Sequence, residues 1–224
     1  MHTIPLALYI HFPWCTSKCP YCDFNSYAKT KDPIPQADYI AALKQDLLQD
    51  LSKVPDRKLI SIFMGGGTPS LFAPEYIADL LQTINQHITF EKNIEITLEA
   101  NPESLEYKKL TGYRAAGVNR ISIGVQSFNA QQLKVLGRAH SSAQASAAII
   151  ATQKAGFHNY NIDLMYGLPK QTVEAALEDL QEALSFSPPH LSWYHLTLEP
   201  NTVFYQHPPK YLPLEERVME MEAA

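Results

Sequence analysis

The sequence predicts an α/β fold with parallel strands, arranged either as an open doubly wound sheet or as a barrel-like arc. Two observations carry this. Six apolar, β-rich runs alternate with longer segments of helical periodicity, and several of the runs are near-continuously apolar, as strands buried on both faces of a parallel sheet are. Size agrees: 224 residues, 46% hydrophobic and 18% charged, bury one sizeable core and argue against intrinsic disorder.

The first strand is Leu6 to Phe12. The apolar opening from Ile4 has no Lys or Arg before Lys18 and no small-residue cleavage site after it, so it reads as a buried strand rather than a signal-peptide core. A helix follows over Ala37 to Leu51, with Ile40, Leu43, Leu47, Leu48 and Leu51 at helical spacing. The second strand, Leu59 to Met64, runs into Gly65-Gly66-Gly67-Thr68-Pro69, and Pro74 suits the first turn of a helix reaching His87. The third unit pairs a strand over Ile94 to Glu99 with a helix from about Ser104 to Gly117. Ile121 to Val125 is the fourth strand, followed by helical stretches from Ala130 and from Ser142 to Ala155; Tyr160 to Tyr166 is the fifth, with Val173 to Phe186 as its helix. Leu191 to Leu198 is the sixth. Beyond it Pro200, Pro208, Pro209 and Pro213 break the pattern, and Leu214 to Ala224 begins a helix without room to develop. The expected organisation is a core over 1–199 and, from 200 to 224, the start of a linker or C-terminal domain that is cut short.

The formal net charge is −5, with no basic run or stripe to offset it, which argues against a nucleic-acid partner. No stretch approaches the roughly 18 consecutive apolar residues of a membrane helix, so any membrane association would be peripheral. Three cysteines are too few for a disulfide scaffold, and the expected compartment is a reducing cytoplasm.

All three cysteines, Cys15, Cys19 and Cys22, fall within eight positions, directly after the first strand. Apart from coincidence, two readings are open. Structural zinc could take His11 as a fourth ligand, although its ligands usually come as two separated pairs. An iron–sulfur cube normally takes four thiolates, so three would leave one iron open for a substrate or cofactor.

Cys-Thr-Ser-Lys-Cys-Pro-Tyr-Cys resembles the C-x3-C-x2-C signature of the radical S-adenosylmethionine (SAM) superfamily, with an aromatic residue, Tyr21, before the last cysteine. The flanks of that loop, Leu8 to Cys15 and Cys19 to Ser26, and the blocks Gly65 to Ser70, Glu99 to Pro102, Gly124 to Phe128, Leu136 to His140 and Asn161 to Pro169 are similar, in collinear order, to the HemN/HemW branch. That branch comprises oxygen-independent coproporphyrinogen III oxidases and the related haem chaperone. The resemblance runs from about Leu6 to Thr197 and implies a partial TIM barrel, (β/α)6 with parallel strands.

It also implies a [4Fe–4S] cluster on Cys15, Cys19 and Cys22, whose open iron binds SAM, and an electron donor such as flavodoxin or ferredoxin. Tyr9 matches a tyrosine that touches this SAM; read alone, it is a core aromatic on a buried strand. Consecutive glycines let backbone approach a ligand where any Cβ would collide; by resemblance Gly66 contacts the first SAM, and Gly67 and Thr68 a second. Polar residues at the C-terminal ends of parallel strands converge on one face, where α/β barrels build their sites. Glu99 suits the ribose of the first SAM, and Gln126, Arg138 and Asp163 match positions that hold the second. Without the resemblance Arg138 reads as a surface charge and His140 as a satisfied loop histidine; Trp193, Tyr194 and His195 could line the same pocket, although aromatic residues in a strand are usually core.

Two departures favour a HemW-like haem chaperone over the decarboxylating oxidase. Phe24 stands where the oxidases typically carry a further cysteine, and the first strand begins almost at once, without their longer N-terminal arm. The resemblance thus implies haem or a porphyrinogen as ligand and haem-accepting proteins as partners. Family members continue for well over a hundred residues past the barrel into a C-terminal domain, so the chain is expected to be C-terminally truncated.

Overall fold

The computed structural model describes residues 4–29 and 33–224. In chain order the elements are β1 (Leu6–Phe12), β2 (Trp14–Cys15), β3 (Tyr27–Ala28), α1 (Gln36–Asp50), β4 (Leu59–Gly66), α2 (Pro74–His87), β5 (Phe90–Ala100), α3 (Tyr107–Ala116), β6 (Arg120–Gln126), α4 (Ala130–Val135), α5 (Ser142–Lys154), β7 (Tyr160–Tyr166), α6 (Val173–Ser185), β8 (His190–His195), α7 (Val203–Gln206) and α8 (Glu215–Ala223). Six strands form one sheet in the order β1, β4, β5, β6, β7, β8, every neighbouring pair parallel. Strands adjacent in this order are joined through helices, as parallel pairing requires.

The pleat sends alternate side chains to opposite faces. One set, including Ile10, Phe12, Ile62, Met64, Leu98, Ile121, Ile123 and Ile162, is buried with Ile77, Leu80, Ile84, Leu110, Tyr113 and Ile149 of the helices in a single apolar cluster. Burial of this kind contributes about 25 cal/mol per Å² of apolar surface, and it fixes the register, because a one-residue slip would turn the apolar set outward. The other face departs from the expectation of strands apolar on both sides. It carries Glu99, Ser122, Gly124, Asp163 and Tyr194, residues that line a cavity instead of a second core layer. Register brings them into rows: Glu99 lies beside Ser122, Gly124 beside Asp163, and Asp163 beside Ser192.

Boundaries differ from the sequence reading where polar residues hide a strand or another partner takes over the backbone. β5 starts at Phe90 because that residue pairs with Leu59, although the exposed Glu91-Lys92-Asn93 stretch carries no apolar signal. β8 stops at His195; the next amide, of Leu196, donates to Tyr166 O at 3.0 Å and the chain then leaves the sheet. Pro102–Ser104 is a short 3-10 turn, and α3 begins only at Tyr107.

The tail is better ordered than its prolines suggest. Thr202 caps α7, accepting from the Tyr205 amide, and Val218 and Met221 of α8 are buried with Tyr166 and Ala176. Phe204 reaches the cysteine loop: its amide donates to Pro20 O at 2.9 Å, and its ring lies 6.4 Å from that of Tyr21.

Candidate functional site

The segment between β1 and α1 closes on itself. β2 and β3 pair, and the Lys29 amide donates to Cys15 O. The Lys18 ammonium donates to the carbonyls of Phe24 at 2.9 Å and Ser26 at 3.0 Å, so one cation ties the two arms together. Within the loop the Cys22 amide donates to Cys19 O, and all three cysteines are free thiols. Burial pushes the Cys22 thiol up, and the neighbouring Cys19 and Cys15 add to this, so a loop of three thiolates is stabilised by a positively charged group placed among them.

The glycine-rich turn docks against this loop. Gly67 N donates to Phe12 O at 2.6 Å and Thr68 N to Trp14 O at 2.7 Å. A Cβ at Gly67 would lie 2.5 Å from Trp14 O and 2.7 Å from Phe12 O, and a Cβ at Gly66, where φ is +106°, would strike the His11 ring at 2.4 Å. Only glycine fits at both positions.

Opposite stand the strand ends. Glu99 Oε2 accepts from Gly66 N at 3.3 Å, and burial together with the charge of Asp163 raises its carboxyl to about 7. Burial raises Asp163 to about 6 against the pull of Ser122, Ser192 and Asn161, which hydrogen-bond it, and of Arg120. Both groups change protonation near neutrality, which suits them to accept or donate hydrogen bonds to a ligand. Gln126 ends β6 with a left-handed φ of +69° beside an irregularity in register, and its Oε1 accepts from Tyr194 Oη at 2.5 Å. Arg138 is no surface charge. Its Nη2 donates to Asn101 Oδ1 and Gly124 O, both at 2.7 Å, and its Nη1 to Cys19 Sγ at 3.5 Å. Burial disfavours its charge, but Tyr21, Cys19 and Glu103 outweigh that and it stays protonated.

These groups share one cavity of about 420 Å³. Cys15, Cys19, Tyr21, Cys22, Gly66, Gly67, Thr68, Glu99, Gln126, Arg138 and Asp163 all line it. Tyr9 does not. It is 56% exposed, so it is not the core aromatic expected from the sequence alone; its hydroxyl meets His11 Nδ1 at 2.9 Å and burial followed by Glu99 raises its pKa, which puts it near the rim. Sequence reasoning assigned no role to Lys18 or Asn101; Asn101 donates to Thr68 Oγ1 at 2.9 Å while accepting from Arg138. Tyr194 and His195 also line the cavity rather than only the core. His140 is buried, its Nε2 donating to Val125 O at 3.0 Å, with Nδ1 3.6 Å from Glu103 Oε2.

The residues fit a thiolate-ligated cluster with a small polar ligand beside it. The donor set is three thiols on one loop, the adjoining turn is a cradle that a Cβ would fill, and Arg138 Nε is buried with no partner. They fit a Cys3His zinc site poorly, because both nitrogens of His11 are engaged, Nδ1 with Tyr9 and Nε2 with Asn25 O at 2.8 Å. Among the described residues no helix is long and apolar enough to cross a membrane.

Comparison with known proteins agrees with this arrangement. The family model described as the radical SAM superfamily matches residues 9–183. The chain is 55% identical over 221 residues to a protein named heme chaperone HemW from Haemophilus influenzae, covering 97% of this chain and 57% of that one. It is 49% identical over 205 residues to the heme chaperone HemW of Escherichia coli, covering 92% and 54%. Among solved structures, coproporphyrinogen III oxidase (HemN) from Escherichia coli, described as a radical SAM enzyme, superposes with a TM-score of 0.87 at 29% identity, covering 98% of this chain and 51% of that one. The chain thus spans about half the length of the curated relatives it matches. A family match over most of the chain, on a parallel α/β arc with three thiols at the mouth of its cavity, identifies the chain as a member of the radical SAM superfamily.

Proposed function

We propose that this chain is the cluster- and SAM-binding core of a HemW-like haem chaperone, with residues 1–199 as the core domain and 200–224 leading toward a further domain. The observation that carries the reading is the opening of three loop thiols into the cavity that Glu99 and Gln126 line from strand ends, Asp163 from within β7 and Arg138 from the loop after α4. Cys15, Cys19 and Cys22 would hold a [4Fe–4S] cluster. When bound, such a cluster supplies an open coordination position and a transferable electron.

The protein's own residues divide the remaining work. Gly66 and Gly67 let backbone amides and carbonyls face a ligand without a side chain between. Glu99 in its ionised form accepts hydrogen bonds from vicinal hydroxyls of a ribose, while Tyr9 borders the rim above it. Thr68, Gln126, Arg138 and Asp163 surround the remainder of the cavity and would hold a second SAM or part of a porphyrin substrate. Phe204 packs against Tyr21, which lines the cavity beside the cysteines, and so steadies the loop.

The names of the similar proteins support haem as cargo and haem-accepting proteins as partners. A low-potential flavodoxin or ferredoxin is the electron donor this reading requires, and a reducing cytoplasm is where three free thiols would persist. The second reading, oxygen-independent coproporphyrinogen III oxidase, is favoured by the fold match to HemN. Phe24, 56% exposed at the cavity where those oxidases typically have a cysteine, weighs against it.

The test is to reconstitute the chain anaerobically, reduce it, and offer SAM with coproporphyrinogen III in one arm and haem in the other. Stoichiometric haem binding without vinyl product is the expected result. Formation of vinyl product would replace the chaperone reading with the oxidase, and neither haem binding nor vinyl product would overturn both.

A further inference from the structure

Arg138 is fixed before any ligand arrives. Its Nη2 is held between Asn101 Oδ1 and Gly124 O, which sets the plane of the guanidinium, and in that plane Nη1 points at Cys19 Sγ. Local backbone delivers it there. The Arg138 amide donates to Leu133 O at 2.9 Å at the end of α4, and Gly137, with φ +67°, lies so close to the cysteine loop that a Cβ would sit 2.8 Å from Pro20 Cδ. A side chain at 137 would push the two loops apart and draw Arg138 away from Cys19.

We propose that Arg138 tunes the cluster: by donating an N–H···S hydrogen bond to the Cys19 thiolate and keeping a half-buried positive charge beside it, it raises the reduction potential of the [4Fe–4S] group whether or not SAM is bound. The proposal rests on the cluster reading above. Reduction adds one electron, supplied by a low-potential one-electron donor; no bond to the protein breaks and no proton is taken up, because a guanidinium stays charged throughout. The added negative charge is stabilised by a fixed cation and by a donor to a cluster sulfur, and hydrogen bonds to the sulfurs are among the determinants of cluster potential. Half-buried between the loop and the sheet, the guanidinium is less screened than a charge on the open surface, so its effect is larger.

The test is redox titration of the reconstituted chain by EPR with dithionite and mediators, without SAM, comparing the parent with Arg138→Met and Arg138→Gln. Iron content is measured first. Arg138→Met is expected to make one-electron reduction about tenfold less favourable, a fall of about 59 mV. Arg138→Gln should fall between it and the parent, since it keeps a donor and loses the charge. A full-iron Arg138→Met with the parent's potential overturns the proposal, as does a difference that appears only after SAM is added, which would make Arg138 a ligand contact alone. Should Arg138→Met assemble no cluster, Asn101→Ala, which removes one of the two acceptors that fix the guanidinium without touching the thiolates, must lower the potential or the proposal fails. A parent chain that takes up no iron defeats the cluster reading instead.

Discussion

Tyr194 and Gln126, 68 residues apart in sequence, meet at the cavity through a 2.5 Å hydrogen bond from the tyrosine hydroxyl to the amide oxygen. The bond fixes which end of the amide is left over: with Oε1 occupied, Gln126 presents Nε2 and its two hydrogens to the cavity. It does so from a left-handed backbone position that L side chains rarely adopt, so two constraints converge on one orientation. Tyr194→Phe should therefore weaken SAM binding by roughly fivefold, about 1 kcal/mol, while leaving iron content at the parent's value. Calorimetric titration of the reconstituted variant checks this; undiminished affinity would show that the amide orientation is set elsewhere.

The carboxylates give the metal-free chain a pH dependence of definite sign. Glu99 at about 7 and Asp163 at about 6 both lie above their ordinary values, so the native state holds more protons than the unfolded state between about pH 4 and 7. Their contribution is fully favourable at low pH and is lost as the pH rises through the folded values. Glu99→Gln, which keeps an acceptor for Gly66 N, should raise stability at pH 8 by up to about 3 kcal/mol and change little at pH 4. Urea melts at the two pH values would contradict this if the gain were the same at both.

Two glycines of the site should respond differently to alanine. At Gly67 the new Cβ meets backbone oxygens at 2.5 and 2.7 Å, which cannot move without separating the cysteine loop from the turn, so a loss of about 3 kcal/mol is expected. At Gly124 it meets side-chain tips, Gln126 Nε2 at 3.0 Å and Asn101 Oδ1 at 3.2 Å. Gly124→Ala should cost about 1 kcal/mol and show itself chiefly as weakened SAM binding. Thermal melts of the two variants side by side provide the comparison.

A positioning role falls to Asp179, a buried carboxylate on α6 that accepts from Ser127 Oγ at 2.6 Å and from Phe128 N at 2.7 Å. It holds the loop that follows Gln126. Asp179→Ala leaves both donors buried without a partner and should destabilise the chain by about 2 to 3 kcal/mol, with Asp179→Asn restoring part of the loss. Equal melting of the parent and Asp179→Ala would mean that the loop finds other acceptors.

How far the sequence could be read follows from where each partner lies. The cysteine spacing and the glycine run are local signals, and Glu99, Gln126 and Asp163 stand out as polar residues at or within otherwise apolar strands; all of them reach one cavity. The parallel order of the sheet was legible in the regular alternation of strand and helix patterns. Tyr9 was harder: its strand is apolar enough to suggest a core position, but it lies on the face opposite Ile10 and Phe12, toward the open side of the arc. Lys18, Asn101 and Asp179 gave no signal of their own, since each acts through an atom that only the folded chain brings near, and Tyr194 was open to either a pocket or a core position. Arg138 looked like a surface charge for the same reason, Cys19 being 119 residues away.

The central claim is that three thiolates of this loop hold a cluster with one iron left open to SAM. EPR of the reconstituted, dithionite-reduced chain with and without SAM tests it most directly. The account predicts a [4Fe–4S]⁺ signal whose g-values shift on addition of SAM and which is absent from Cys19→Ala. A signal indifferent to SAM, or one that survives in Cys19→Ala, would contradict it.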